Sequence, residues 1–147
     1  MKILVMGLPG SGKTYLAKRM QPLLNAAWYN ADIVWEMAND WDFSPEGRIR
    51  QSLRMKNLAD FEKKHGRIVI CDFVCPTKET KQNFDPDITI WMNTIESGRY
   101  EDTNKMFEEP LDADYRITEM NDENHRIISE EILKNVWSKK TNRSNAW

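Results

Sequence analysis

The chain has 147 residues, 40% apolar and 30% charged, with a formal net charge of −2, which is enough for one domain with a sizeable core and too little for two. That charge excludes a general attraction to nucleic acid, so any basic site has to be a local patch, and no apolar run approaches the ~20 residues of a membrane span. MKILVMG lacks the h-region and cleavage site of a signal peptide, and Cys71 and Cys75 fit neither a zinc pattern nor a redox CxxC, so reduced thiols and a cytoplasmic location are expected.

In chain order, Lys2 to Met6 is a short apolar run ended by glycine, as in a buried parallel strand. A Gly-rich turn follows, then a helix from Lys13 to Met20 that stops before Pro22. Ala27 to Asn30 reads as a second strand, with a polar segment around Asp32 after it. Ser44 and Pro45 supply an N-cap and an N1 proline for a helix to about Lys64, ended by His65 and Gly66, with Ile49, Leu53, Leu58 and Phe61 on its apolar side. Arg67 to Phe73 and Ile88 to Met92 are further strands, with a short fifth at Tyr115 to Thr118. A last helix from about Asp122 to Trp137 carries Ile127, Ile128, Ile132, Leu133 and Val136 on its apolar side. It is followed by a polar tail, 138–147.

Strands alternating with helices predict an α/β fold, a three-layer arrangement with a central parallel sheet, as one domain over 1–137. Ligands in such sheets collect at the carboxyl ends of strands, which marks residues 7–14, 30–35, 72–76 and 93–110.

Gly7, Gly12, Lys13 and Thr14 fill GxxxxGK[ST] within GLPGSGKT, and Gly10 adds a further turn residue. Backbone N–H groups of such a loop converge on phosphate oxygens, and the helix opening at Lys13 adds its positive end. Lys13 is placed for the β- and γ-phosphates and the Thr14 hydroxyl for Mg²⁺, with Pro9, Ser11 and Tyr15 completing the loop and helix start. The buried strand before it and the helix after it make this a nucleoside triphosphate site.

No NKxD guanine-reading motif is present, and RIVICD ends in a single acid, Asp72, where motor-type ATPases carry paired acids. Small size and a polar segment at 95–110 fit a small-molecule kinase whose lid excludes water. Arg99 and Lys105 in that segment could neutralise the transferred group, or sit on a solvated loop. Asp32 could orient an accepting hydroxyl, hold a metal-bound water, or cap a helix. Asp72 could serve the metal or a strand-end turn, and residue chemistry alone does not rank the two. Arg48, Arg50, Gln51 and Arg54 at the start of the long helix suit an anionic acceptor. Of six tryptophans, Trp28, Trp91 and Trp137 are expected in the core, while Trp35 and Trp41 lie in the acceptor region, where Trp35 could stack on a base.

These segments resemble the adenylylsulfate kinase family, which phosphorylates the 3′-hydroxyl of adenosine 5′-phosphosulfate (APS) with ATP. GLPGSGKT resembles the family's GLSGSGKS, NADIVW its DGDNVR, and WDFSPEGRIRQSLR its LGFSEADRxENIRR. IVICDFVCP is similar to IVITSFISP, and the NT before Ile95 resembles the DT that precedes the lid arginine. The resemblance implies ATP and Mg²⁺ as cofactors and a small nucleotide acceptor, with no membrane partner; a nucleic-acid partner is not expected but stays open, and a homodimer is compatible with it. It places Phe43 on the acceptor's adenine and Arg48 and Gln51 on its anionic part. Phe73, Val74, Cys75 and Pro76 line the pocket, Arg99 opens the lid, and Phe107 is a second stacking ring. Asn30 stands where the family has an acid, Trp35 where it has an arginine, and Asp72 where it has a small residue, so the carboxylate could have moved to the third strand. Two alternatives stay open: a kinase for a nucleoside, nucleotide or polynucleotide 5′-hydroxyl, and a non-catalytic ATP-binding protein.

Overall fold

The computed structural model of the chain describes residues 1–145, and the side chains of residues 1–136. Five strands form one all-parallel sheet in the order β2-β3-β1-β4-β5: β1 Lys2–Met6, β2 Ala27–Asn30, β3 Val69–Asp72, β4 Ile88–Met92 and β5 Tyr115–Ile117. The side-chain alternation of the strands divides the core between two faces. Ile3, Val5, Ile70, Ile90 and Met92 pack with α1 (Lys13–Leu24) and α6 (Asn124–Asn145) through Leu16, Met20, Ile128 and Ile132. Leu4, Met6, Val69 and Cys71 pack on the other face with α2 (Ala31–Ala38), α3 (Pro45–Lys64) and α4 (Lys78–Phe84) through Val34, Met55, Ala59 and Phe84. The three layers and the parallel sheet agree with the sequence reading.

Several boundaries differ from it, each for a physical reason. α1 does not stop before Pro22 but carries it inside the helix, because one more turn buries Leu24 before Asn25 closes the helix in a left-handed conformation (φ 48°). The stretch after β2 is a helix, α2, whose N-cap is Asn30: its side chain accepts from Ile33 N at 3.2 Å. α4 has no counterpart in the sequence reading. It is secured by a reciprocal capping box between Thr77 and Thr80. Ser44 caps α3 with Pro45 in its first turn, as expected. The face α3 buries is only in part the expected one: Leu58 packs on the core, but Leu53 and Phe61 are exposed, while Arg48, Gln51, Ser52, Met55 and Ala59 are buried. Its first half faces a polar cavity, and small side chains let its second half approach the sheet. On α6, Ile127 and Leu133 point outward while Ile128 and Ile132 carry the packing. That helix continues past Trp137 to Asn145, where a polar tail was expected. The side chain of Trp137 and residues 146–147 lie outside the described residues. Trp91 is in the core as expected.

β1 stands between β3 and β4, so the chain leaves it toward one side of the sheet and later returns to the other. A crevice opens at such a switch point, beyond the carboxyl ends of β1 and β3.

Candidate active site

A cavity of about 790 Å³ fills this crevice. One wall is the loop after β1. Gly7 (φ 152°) passes so close to β4 that a Cβ there would lie 2.6 Å from Met92 O and 2.8 Å from Ser11 Oγ. Gly12 (φ 97°) is the N-cap of α1 and has no side chain to spend on the helix N–H groups. The buried Ser11 Oγ has no hydrogen-bond partner among the described residues. Pro9, Gly10, Gly12, Lys13, Thr14 and Tyr15 line the cavity, whereas Gly7 and Ser11 lie behind it and shape the loop. The loop folds back on itself: Lys13 Nζ donates to Leu8 O at 3.0 Å. Burial away from water lowers the pKa of the Lys13 ammonium to about 8, against the opposing pull of Asp72 and Asp32. Free helix N–H groups, a half-buried ammonium and a hydroxyl form a donor set that fits a polyphosphate.

Beneath Thr14 lies Asp72, which is 2% exposed. Its carboxylate accepts from Trp28 Nε1 and from Asn30 Nδ2 (3.1 and 3.2 Å), with Thr14 Oγ1 at 3.4 Å. Asn30 Nδ2 also donates to Thr14 Oγ1 at 3.1 Å. Burial pushes the Asp72 carboxyl up to about 6, a rise that Trp28, Asn30 and Lys13 oppose. A hydroxyl beside a dry carboxylate is a hard-oxygen pair that fits Mg²⁺. Asp32, in the first turn of α2, is instead exposed and lines the cavity. The helix-cap role weighed for Asp32 belongs to Asn30.

The opposite wall is aromatic and cationic. Phe43 stands edge-on to Trp35 (centroids 5.3 Å) and to Trp41 (6.3 Å). Arg48 stacks over Phe43 at 4.9 Å, is 9% exposed, and donates from Nη2 to Thr103 Oγ1 at 2.9 Å. Its Nε has no hydrogen-bond partner among the described residues, and no carboxylate pairs with it there. Gln51 holds α2 through Ala31 O (3.2 Å), and Phe73, Val74, Cys75 and Pro76 form the floor. Cys75 adopts a left-handed backbone (φ 49°), and burial pushes its thiol up to about 12, consistent with an inert packing group. The other two arginines of α3 do not reach the cavity as expected. Arg50 is paired to Asp40 and Asp42 (3.1 and 2.9 Å), and Arg54 to Asp40 (2.7 Å).

Residues 93–110 cross the cavity mouth and include a short helix, α5 (Glu101–Met106). Thr94 Oγ1 donates to Ser11 O (2.8 Å), Asn104 clasps Gly98 through both its backbone N–H and C=O, and Glu108 N donates to Pro76 O (2.6 Å). Arg99 lies at the mouth, 5.6 Å from the Tyr100 ring. Two expected contacts are absent from the cavity wall. Lys105 projects into solvent on the outer side of α5, 3.8 Å from Glu101, and Phe107 packs on the cluster beneath the sheet, so neither lines it. Tyr100 and Trp41 do, without having been singled out as substrate contacts. Trp28, expected only as core, reaches Asp72. The alternation of β2 carried that signal, because Trp28 and Asn30 share a face.

The family model described as adenylylsulphate kinase matches residues 1–96, which hold the loop, β2, α2, α3 and the cavity floor. The chain belongs to the adenylylsulfate kinase family. Among curated relatives, the probable adenylyl-sulfate kinase of Aeropyrum pernix is 36% identical over 84 residues, 51% of this chain and 44% of that protein. The adenylyl-sulfate kinase of Chloroflexus aurantiacus is 36% identical over 81 residues, with the same shares. The match thus spans less than half the length of these curated adenylylsulfate kinases. The fold is also that of the Mycobacterium tuberculosis APS kinase solved with AMPPNP and APS (TM-score 0.70, 16% identity, 90% of this chain and 95% of that one). Shikimate kinase from Acinetobacter baumannii is more distant (TM-score 0.56, 17% identity, 95% and 94%).

Proposed function

We propose that this chain transfers the γ-phosphoryl group of ATP to the 3′-hydroxyl of APS. The observation that carries the reading is Arg48: a guanidinium buried on an aromatic wall, unpaired by any carboxylate among the described residues, in the same cavity as Lys13 and Thr14. Burying such a cation without an anion is costly, and an anionic ligand would offset that cost. In this reading Phe43, with Trp35 behind it, receives the adenine, while Arg48 and Gln51 face the phosphosulfate. The loop N–H groups and Lys13 hold the ATP phosphates. Thr14 and Asp72 would hold Mg²⁺, directly or through water, and the metal when bound neutralises charge on the β- and γ-oxygens.

Asp32 is the carboxylate exposed to the acceptor space, and so the one placed to accept the hydroxyl proton. A bond forms between the 3′-oxygen and the γ-phosphorus, the bond to the β–γ bridging oxygen breaks, and ADP leaves. Residues 95–110 act as the lid, bringing Arg99 over the transferred group and excluding water. Asn30, which stands where the family has an acid, is bonded to Asp72, so a carboxylate is still present beside Thr14 and the loss of that acid does not by itself favour a non-catalytic protein.

A second reading has a specific observation behind it. Trp35 stands in place of an arginine, and Arg50 and Arg54 are tied to Asp40 and Asp42, which favours an acceptor with fewer charges, a nucleoside. Arg48→Ala discriminates. If Arg48 holds the acceptor anion, the KM for APS rises about 10- to 100-fold while that for ATP changes little. Equal changes in both would remove Arg48 from the acceptor site.

A further inference from the structure

The cluster beneath Thr14 carries one more inference, which rests on the reading that Thr14 and Asp72 face the nucleotide's metal. Trp28 Nε1 and Asn30 Nδ2 both donate to Asp72, and Asn30 and Asp72 are register partners at the ends of the parallel strands β2 and β3. Each also reaches Thr14 Oγ1, at 3.1 Å from Asn30 and 3.4 Å from Asp72. Asn30 does two jobs that need opposite polarities: its oxygen caps α2 by accepting from Ile33 N, and its nitrogen donates to the carboxylate. We propose that Trp28 and Asn30 are positioning residues that hold the Asp72 carboxylate against Thr14, and that Asn30 and Asp72 form an exchangeable acid–amide pair.

The hydrogen-bond inventory explains why the pair is exchangeable and why neither half changes alone. Asn30→Asp by itself sets two carboxylates about as close as the present 3.1 Å contact, with no proton donor between them. Asp72→Asn by itself leaves two neutral amides and no anion for a metal. In the double variant Asn30→Asp/Asp72→Asn every partner is restored. The amide oxygen at position 72 accepts from Trp28, whose indole can only donate. Its NH₂ donates to the carboxylate at position 30, which still caps Ile33 N and still reaches Thr14.

The test measures three properties of the full chain and of Trp28→Phe, Asn30→Asp, Asp72→Asn and the double variant. They are Tm without metal, ADP affinity as a function of Mg²⁺ by calorimetry, and the indole ¹⁵N–¹H signal of Trp28, assigned by its loss in Trp28→Phe. Half-saturating Mg²⁺ is expected to rise about 10-fold in Trp28→Phe and in each single variant at positions 30 and 72, and to recover in the double variant. Asn30→Asp should have the lowest Tm, and the double variant should regain most of the loss. The Trp28 indole proton should move upfield in Asp72→Asn, where the acceptor has lost its charge. Folded Trp28→Phe protein with unchanged Mg²⁺ dependence would overturn the positioning role, and a double variant worse than both singles would overturn the exchange. If the wild type binds Mg-ADP in this pattern yet never turns over APS, the acceptor reading fails and the positioning inference stands.

Discussion

Lys13 and Asp72 lie close enough to oppose each other's shifts, yet burial displaces both toward neutrality, the ammonium down to about 8 and the carboxyl up to about 6. A ligand that brings phosphate to one and a cation to the other reverses both shifts, so binding must move protons. Above pH 8 the free Lys13 is mostly neutral and has to take up a proton to meet phosphate. Near pH 6 the free Asp72 is about half protonated and has to release one to meet a metal. Calorimetry of Mg-ADP binding in buffers of different ionisation heat should therefore show net proton uptake at pH 8.5 and net release near pH 6. A proton balance of zero at both values would contradict the assignment of these two groups to the nucleotide and its metal.

At the scale of elements, the start of α3 shows what was legible and what was not. Ser44, Pro45 and Gly66 mark the ends of the helix by local chemistry, and those ends were readable. Its buried face was not, because burial there is set by a cavity built from other elements. The outward Leu53 and Phe61 match a hydrophobic stripe that the inward Arg48, Gln51 and Ser52 break. α2 was hidden for a similar reason: it is short, and its cap Asn30 reads equally well as the end of a strand. Gly47, in the first turn of α3, packs against the corner that presents Phe43. A Cβ at that position would lie 1.8 Å from Asp42 O. In an open helix Gly→Ala is worth about 0.5–1 kcal/mol in favour of alanine, but here the contact with backbone decides the sign. Gly47→Ala should lower Tm by roughly 3–10 °C and weaken APS binding through displaced Phe43. A Tm at or above that of the wild type would show that the 40–44 corner yields freely.

Over the whole molecule, the legible half of the site is the contiguous half. GLPGSGKT lies between a strand and a helix, and the structure places both where the motif requires them. The other half is assembled across the chain. Trp28 meets Asp72 44 positions away, and Arg48 meets Thr103 55 positions away; the alternation of β2 puts Trp28 on the face of Asn30 but does not name its distant partner, and nothing local announces the contact of Arg48. The same holds for the crossing segment. Its polarity suggested a lid, but which of its side chains face inward depends on how the residues flanking α5, Gly98 and Glu108, sit against Pro9 and Pro76, and that favours Arg99 and Tyr100 over Lys105 and Phe107. Kinase chemistry requires both halves at once, a phosphate cradle and an acceptor wall in one closed space. The most direct test is a coupled ADP-release measurement with Mg-ATP and APS, run beside a nucleoside, a nucleoside monophosphate and a 5′-hydroxyl oligonucleotide. Turnover with APS well above every other acceptor, and loss of it in Asp32→Asn, is the expected result. ATP binding with no acceptor turned over, or turnover of another acceptor alone, would contradict it.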